Sequence, residues 1–229
     1  MSKCLNCPHS GKHAFCSFGP EARSFLESNS IAMEYPRGSA MFREGDRCNA
    51  VFVMCSGKVK VSATSKEGRT MILRIADAGD VLGMSAALAN GEYEVTAEAL
   101  EPCKVRVLNV KYLNQMLQDF SDASMGAAKA LAEDYRAAFD NARLIALPGS
   151  PAGRLARLIL DWAGDAKRKG PNAFITMPLT HDELASMTAT TRETVTRTLG
   201  RFRKDQLINI RGVALTVLKP SALEQLCAC

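Results

Sequence analysis

The spacing of apolar residues changes twice along this chain. From Ile31 to Val110 the apolar positions fall in strand-length runs, with turn residues at intervals of roughly 8 to 12 positions. Val51-Phe52-Val53-Met54 is continuously apolar, Lys58-Val59-Lys60-Val61-Ser62 alternates with a period of two, and Met71-Ile72-Leu73-Arg74-Ile75 follows a hairpin tip at Lys66-Glu67-Gly68-Arg69. Pro36-Arg37-Gly38, Glu44-Gly45-Asp46 and Ser56-Gly57 supply further turns. The region therefore reads as a β-sandwich or roll, and its glycines are expected to serve turns rather than a ligand.

After Val110 the spacing becomes helical. A short helix is expected around Tyr112 to Leu117, then a long one from Ala123 to Leu147, with Ala128, Leu131, Tyr135, Ala138, Ala142 and Ile145 at threes and fours. Such a helix spans roughly 36 Å and its alanines permit close approach, so it is expected to be a dimerisation helix; packing against the roll alone is the alternative. Leu147-Pro148-Gly149-Ser150-Pro151 breaks the pattern and marks a hinge between domains. Beyond it, Ala152 to Lys167 is amphipathic through Leu155, Leu158, Ile159 and Trp162. The basic loop Lys167-Arg168-Lys169-Gly170 suits DNA phosphate, RNA polymerase or solvent.

The stretch from Leu179 to Ile210 has the most specific pattern. Thr180 with Glu183 forms a capping box that opens a helix whose buried side is Leu184, Ala185 and Met187. After Thr188-Ala189-Thr190 a second helix turns Val195, Leu199 and Phe202 inward. Arg192, Glu193, Thr196 and Arg197 then lie within roughly 140° of one another on the outward face, the layout of a helix-turn-helix recognition helix. Arginine can bind guanine O6 and N7, a carboxylate can accept from cytosine N4, and a threonine methyl can touch thymine. A solvated surface helix, with Glu193 capping Thr190, is the plainer alternative. Ile208-Asn209-Ile210, the turn Arg211-Gly212 and Val213 to Val217 add a hairpin, which makes the motif a winged helix-turn-helix.

Composition narrows the class. A chain of 229 residues accommodates one large or two modest domains, and 47% hydrophobic with 23% charged residues is globular. The net charge of +5 is mildly favourable for meeting phosphate. No apolar run reaches the roughly 18 residues of a spanning helix, and MSKCLNCPHSGKH lacks a signal-peptide core. A cytoplasmic protein with no membrane partner is expected, in which eight cysteines are thiols, ligands or small core residues rather than disulfides. Three histidines, split between the N-terminal segment and His181, and the want of a nucleophile–base pair argue against an enzyme.

Cys4, Cys7 and Cys16, with His9 and His13 between them, are dense enough for a metal site. Zinc could take all its ligands here; an iron–sulfur cluster would need one more cysteine, and Cys48, Cys55 and Cys103 are available. A tail of clustered cysteines without metal, or an interchain disulfide, is the alternative, as is a thiol switch that recruits Cys227 and Cys229.

RETVTRTLGRF followed by the wing resembles the C-terminal domain of the CRP/FNR family of bacterial transcription regulators, and PRGSAMFREGD, VFVMCSGKVKV and AGDVLGMSAAL resemble its effector domain. The resemblance spans nearly the whole chain and implies a cyclic-nucleotide-binding-like β-roll. It also implies a homodimer, an inverted repeat in double-stranded DNA with half-sites related to TGTGA or TTGA, and RNA polymerase as partner. Ala189 departs from the glycine usual in the family's turn. Members that bind cyclic AMP use a Gly-Glu pair for ribose and an Arg-Ser pair for phosphate. This chain has Gly83-Met84 at the first and Tyr93-Glu94 at the second, so cyclic AMP is not the expected effector. Members that sense oxygen through a [4Fe-4S] cluster carry three N-terminal cysteines, usually as Cys-x2-Cys-x5-Cys, and one in the roll. Here the spacing is Cys4-x2-Cys7-x8-Cys16, and the family's fourth position aligns with Arg106. Cys103 is the nearest cysteine, a three-residue step that reverses side-chain direction along a strand.

The expected fold class is α+β. Residues 1–18 form a Cys-rich segment, 19–110 a β-roll sensor domain, 111–147 a dimerisation helix and 148–229 a winged helix-turn-helix domain. The expected function is a dimeric DNA-binding transcription regulator, with Arg192, Glu193, Thr196 and Arg197 on DNA. The expected signal is redox state or oxygen, read by an iron–sulfur (4Fe-4S) cluster on Cys4, Cys7, Cys16 and Cys103. Zinc or a thiol switch at the same cysteines, or a small-ligand-binding module, are the alternatives.

Overall fold

A computed structural model describes residues 15–147, 149–169, 175–176 and 179–227, which form two compact units, Met1–Ala138 and Phe139–Cys229. In the first unit a helix α1 (Pro20–Asn29), with proline in its opening turn, precedes strands β1 (Ser30–Tyr35), β2 (Ala40–Phe42), β3 (Ala50–Ser56), β4 (Val59–Thr64), β5 (Thr70–Ala76) and β6 (Val81–Leu82). A short α2 (Met84–Ala89) is followed by β7 (Thr96–Ala99), β8 (Cys103–Asn109), α3 (Val110–Asp119) and α4 (Ser121–Ala146). The strands make two antiparallel four-stranded sheets, in the orders β1-β8-β3-β6 and β2-β7-β4-β5. The three apolar runs expected as strands are β3, β4 and β5, and the two expected helices are α3 and α4; α1 and α2 carry too little periodicity to have been foreseen.

The central strands β3 and β8 of the first sheet are covered on both faces, and the two-residue period of a strand sorts their side chains. Phe52 and Met54 of β3, with Cys103 and Val105 of β8, enter a core shared with Phe42, Val61, Ala97 and Tyr93. Val51 and Val53 of β3, with Leu108 of β8, enter a second core against Phe18, which precedes α1, and Leu26, Leu113, Met116 and Ala127 from the helices. Each core closes at a tight point. Gly57 (φ +90°) sits between β3 and β4 where a Cβ would stand 2.7 Å from the Cys103 sulfur and from the Pro102 carbonyl oxygen, so only glycine fits. Arg74 of β5 bridges Asp80 (2.9 Å) and Asp134 of α4 (2.6 Å), tying the helix to the sheet.

The second unit contains α5 (Pro151–Lys169), β9 (Ile175–Thr176), α6 (His181–Met187), α7 (Arg192–Lys204), β10 (Ile208–Arg211), β11 (Ala214–Val217) and α8 (Pro220–Cys227). β10, β11 and β9 form a three-stranded antiparallel sheet, with the hairpin turned at Gly212 (φ +59°). Val195, Leu199 and Phe202 of α7 are buried with Leu184, Ala185 and Met187 of α6, as their spacing requires. Of the expected hinge, Pro148 lies outside the described residues, and α4 itself runs across the division between the units. No helix among the described residues is long and apolar enough to cross a membrane.

The turn between α6 and α7 keeps a left-handed residue without a glycine: Ala189 has φ +47°. That conformation costs an alanine roughly 1–2 kcal/mol. Ala189→Gly relieves it, less the larger chain entropy of glycine, so this variant is expected to stabilise the second unit by about 0.5–1 kcal/mol. A rise in urea midpoint at unchanged slope is the measurement.

Candidate nucleic-acid interface and sensor sites

The α6–α7 corner is held from three directions. Thr180 Oγ1 accepts from the Glu183 backbone N–H (3.2 Å) while the Glu183 carboxylate accepts from the Thr180 N–H (2.8 Å), completing the capping box. The buried Thr188 hydroxyl donates to the Leu184 carbonyl (2.7 Å). From α5, Arg154 donates through Nε to the Thr188 carbonyl (2.7 Å) and through a terminal nitrogen to that of Ala189 (3.3 Å). The strained turn is thus gripped by a guanidinium, a contact that periodicity could not have revealed because Arg154 is more than thirty residues away.

Rotation around α7 puts Arg192, Glu193, Thr196 and Arg197 on the exposed face while Phe202 is only 1% exposed on the other. The N-cap is Thr191, which accepts from the Thr194 N–H (3.3 Å). Glu193 therefore does not cap Thr190. Its own backbone N–H, then the Thr191 hydroxyl and Arg192, hold its carboxyl below the ordinary glutamate value, and the group stays an ionised acceptor at neutral pH. Sequence reasoning missed two neighbours from the first turn of α6. Asp182 lies 3.7 Å from the Arg192 guanidinium, and His181 Nδ1 lies 2.8 Å from Thr196 Oγ1. Near the wing, Arg203, Lys204 and Asn209 line a shallow basic depression. The side chains of the basic loop at 167–170 lie outside the described residues.

In the roll, the positions compared with a nucleotide cradle are filled by the chain itself. Met84 is buried in the helix-side core. The Tyr93 ring stacks on Phe42 at 3.9 Å and its hydroxyl donates to the Ala50 carbonyl (2.7 Å); burial raises that phenol well above its ordinary pKa. Glu94 accepts from the Ser85 hydroxyl (3.0 Å), so a carboxylate stands where an anion-binding arginine would be needed.

The four candidate cysteine ligands are not brought together by the described residues. Cys4 and Cys7, with His9 and His13, lie outside them, and no group of three His, Cys, Asp or Glu among them could hold a metal ion. Cys16 packs against the helix-side core. Cys103 is 1% exposed in the opposite core, and its thiol donates toward the Glu101 (3.1 Å) and Lys58 (3.3 Å) carbonyls. Burial, reinforced by Glu101, raises its pKa, which favours the thiol over the thiolate a metal needs. Cys103 and Cys16 thus pack on opposite sides of β8, and the residue of that strand that faces the helix side near Cys103 is Arg106. It is 7% exposed, donates to Ser30 Oγ (3.3 Å) and toward the Glu27 carbonyl (3.5 Å), and its Nε has no hydrogen-bond partner.

Along α4, Met125 is 58% and Tyr135 71% exposed, and Ala128 and Ala132 between them are exposed as well. Leu131, which shared their sequence pattern, packs instead against the helix-side core. Positions 125, 128, 132 and 135 follow the alternate steps of three and four of a coiled-coil seam, and the sequence continues that pattern at Phe139 and Ala142.

Comparison with known proteins agrees with this architecture. A family model described as cyclic nucleotide-binding domain matches residues 32–120, and one described as Crp-like helix-turn-helix domain matches residues 153–226. A CRP-like cAMP-activated global transcriptional regulator of Mycobacterium tuberculosis is 25% identical over 86% of this chain and 88% of its own length. The anaerobic regulatory protein of Bacillus subtilis is 26% identical over 81% and 78%, and the fumarate and nitrate reduction regulatory protein of Escherichia coli 24% over 83% and 76%. Among solved structures, a CRP-family transcriptional regulator from Thermus thermophilus superposes with a TM-score of 0.68 at 26% identity, covering 86% of this chain and 97% of that one. FixK2 from Bradyrhizobium japonicum shares the fold, with a TM-score of 0.74 at 19% identity over 87% of this chain and 98% of its own. With both domains matched in order and relatives aligned across most of their length, the chain belongs to the CRP/FNR family of DNA-binding transcription regulators.

Proposed function

We propose that this regulator works as a homodimer on an inverted repeat in double-stranded DNA, with one α7 helix in the major groove of each half-site. The observation that carries this reading is the division of α7 into a buried apolar face and an exposed face bearing Arg192, Glu193, Thr196 and Arg197. The seam on α4 supports the second copy: an exposed run of Met125, Ala128, Ala132 and Tyr135 gains most by pairing with itself. Two-fold symmetry then places the half-sites about 10 to 10.5 bp apart, one turn of the duplex. The protein acts where the chromosome is, in the cytoplasm, and RNA polymerase is a partner expected from the class of protein rather than from a particular surface.

The signal enters through the N-terminal cysteines in this reading. Two relatives named for anaerobic and for fumarate and nitrate regulation favour redox or oxygen sensing, and an iron–sulfur cluster is the group that Cys4, Cys7 and Cys16 would suit, with zinc the second choice. Cys103 is a poor fourth ligand in this reading, because its thiol is hydrogen-bonded to backbone carbonyls and enters the core opposite the one Cys16 packs against. The reading therefore leaves Cys103 out of the ligand set, with Cys48 and Cys55 the remaining cysteines of the roll. Cyclic AMP has no place in it, although one relative is described as cAMP-activated: Tyr93 fills the cradle and Glu94 repels phosphate.

Arg197→Ala is expected to cost about 1–3 kcal/mol at one base position, measured as lost discrimination in a half-site substitution series. A uniform loss over all sequences would make Arg197 a phosphate contact instead. Ala132→Glu, which puts a carboxylate in the α4 seam, is expected to sediment as a monomer at concentrations where the parent is a dimer, and to bind a full repeat no better than a half-site. For the sensor, protein purified without oxygen is expected to contain iron and sulfide that Cys16→Ser removes and Cys103→Ser retains. The latter change should lower stability by about 1–2 kcal/mol through the altered core contact.

A further inference from the structure

The recognition helix is braced by the helix before it, through two side chains from the first turn of α6. Asp182 lies 3.7 Å from Arg192, a distant ion pair between exposed groups that leaves the guanidinium mobile. His181 is closer: its Nδ1 stands 2.8 Å from Thr196 Oγ1. That oxygen is already committed as a donor, since the Thr196 hydroxyl points to the Arg192 carbonyl at 2.9 Å, one turn back along α7. A hydroxyl has one proton. Because the carbonyl can only accept, the Thr196 proton belongs to it, and the contact with the imidazole must run from Nδ1–H to Thr196 Oγ1.

Two hydrogen bonds on one oxygen fix the χ1 rotamer of a β-branched side chain that otherwise divides between two. The hydroxyl is then used up on the protein side, and the methyl is what remains to face outward from an exposed position on the recognition surface. We infer that His181 is a positioning residue for sequence specificity: by donating to Thr196 it holds the Thr196 methyl toward the groove, so that one base pair of each half-site is read as thymine through its 5-methyl group. Without His181 the hydroxyl is free to turn outward, and a side chain that can offer either a methyl or a hydroxyl accepts more than one base. This rests on α7 being the recognition helix, and it adds the group that sets what one of its four residues presents.

Replacing thymine by deoxyuridine removes only the methyl, so the test uses the tightest half-site selected from random duplex DNA by the full-length protein, with uracil introduced at each thymine in turn. The parent protein should lose roughly 4-fold in affinity at one thymine, the worth of one buried methyl-sized group. Thr196→Ser and His181→Ala should both abolish that penalty, whereas His181→Asn, whose amide nitrogen is attached to Cγ as Nδ1 is and can still donate, should keep it. If His181→Ala is too unstable to assay, His181→Leu, which fills the space but cannot donate, takes its place. A His181 variant that keeps the parent's penalty while affinity falls evenly over all sequences would overturn the inference, as would a penalty that survives Thr196→Ser. Failure of the underlying reading looks different: Arg192→Ala, Glu193→Ala and Arg197→Ala would then all leave base preference untouched in the same series.

Discussion

The first unit depends on two central strands that are covered on both sides. The buried residues of β3 and β8 must choose one of two apolar interiors, and the pleat makes the choice by parity. Cys103 and Val105 go to the roll interior and Leu108 to the helix side. Arg106, out of step with Cys103, is forced into the helix side, where a guanidinium is an awkward guest. It is tolerated because the end of α1 offers the Glu27 carbonyl and the Ser30 hydroxyl, and cations are favoured at a helix C-terminus. A strand cannot move a side chain from one interior to the other without a bulge or a register shift. The β3–β8 pairing shifts between Met54 and Ser56, beyond the partners of Arg106, and leaves Cys103 inside the roll.

The same sheet accounts for the filled cradle. Tyr93 reaches the roll interior next to Gly83, where a Cβ would lie 2.8 Å from its ring, and stacks on Phe42. Hydrophobic burial of a large aromatic ring, a hydrogen bond from its hydroxyl and the left-handed glycine beside it are mutually dependent, so the space is occupied by a well-packed side chain. The roll survives as a folding unit whichever ligand its interior takes, as is usual when one fold serves several functions.

In the second unit a different constraint operates. The angle between two short helices is set by a turn that only a residue of positive φ can make, and here an alanine makes it. The cost is offset from outside the motif by Arg154 of α5, which binds two carbonyls of the turn, and from within it by Thr188, which closes the end of α6. Once the angle is set, α7 has no choice of face, because Val195, Leu199 and Phe202 fill the interior. The exposed arginines follow from that burial, and the first turn of α6 is brought close enough to act on them.

Periodicity settled a good deal in advance. Strands β3 to β5, helices α3, α4 and α7, the capping box at Thr180 and the outward placement of Arg192, Glu193, Thr196 and Arg197 are consequences of local spacing and short-range hydrogen bonds, and they are legible in the residues alone. The left-handed conformation of Ala189 was not among them: the residue stood out only as a replacement for the glycine usual in the family's turn. What needed the fold were contacts between residues far apart in the chain. The parity of Cys103 and Arg106 depends on which of two interiors lies on each side of β8; Leu131 leaves the α4 seam because a core waits for it; His181 meets Thr196 only when α6 and α7 have docked. Local sequence determines which face of an element is apolar, through the rotation or pleat of that element by itself. Which partner that face meets is decided by packing among distant segments, and that exists only in the folded chain.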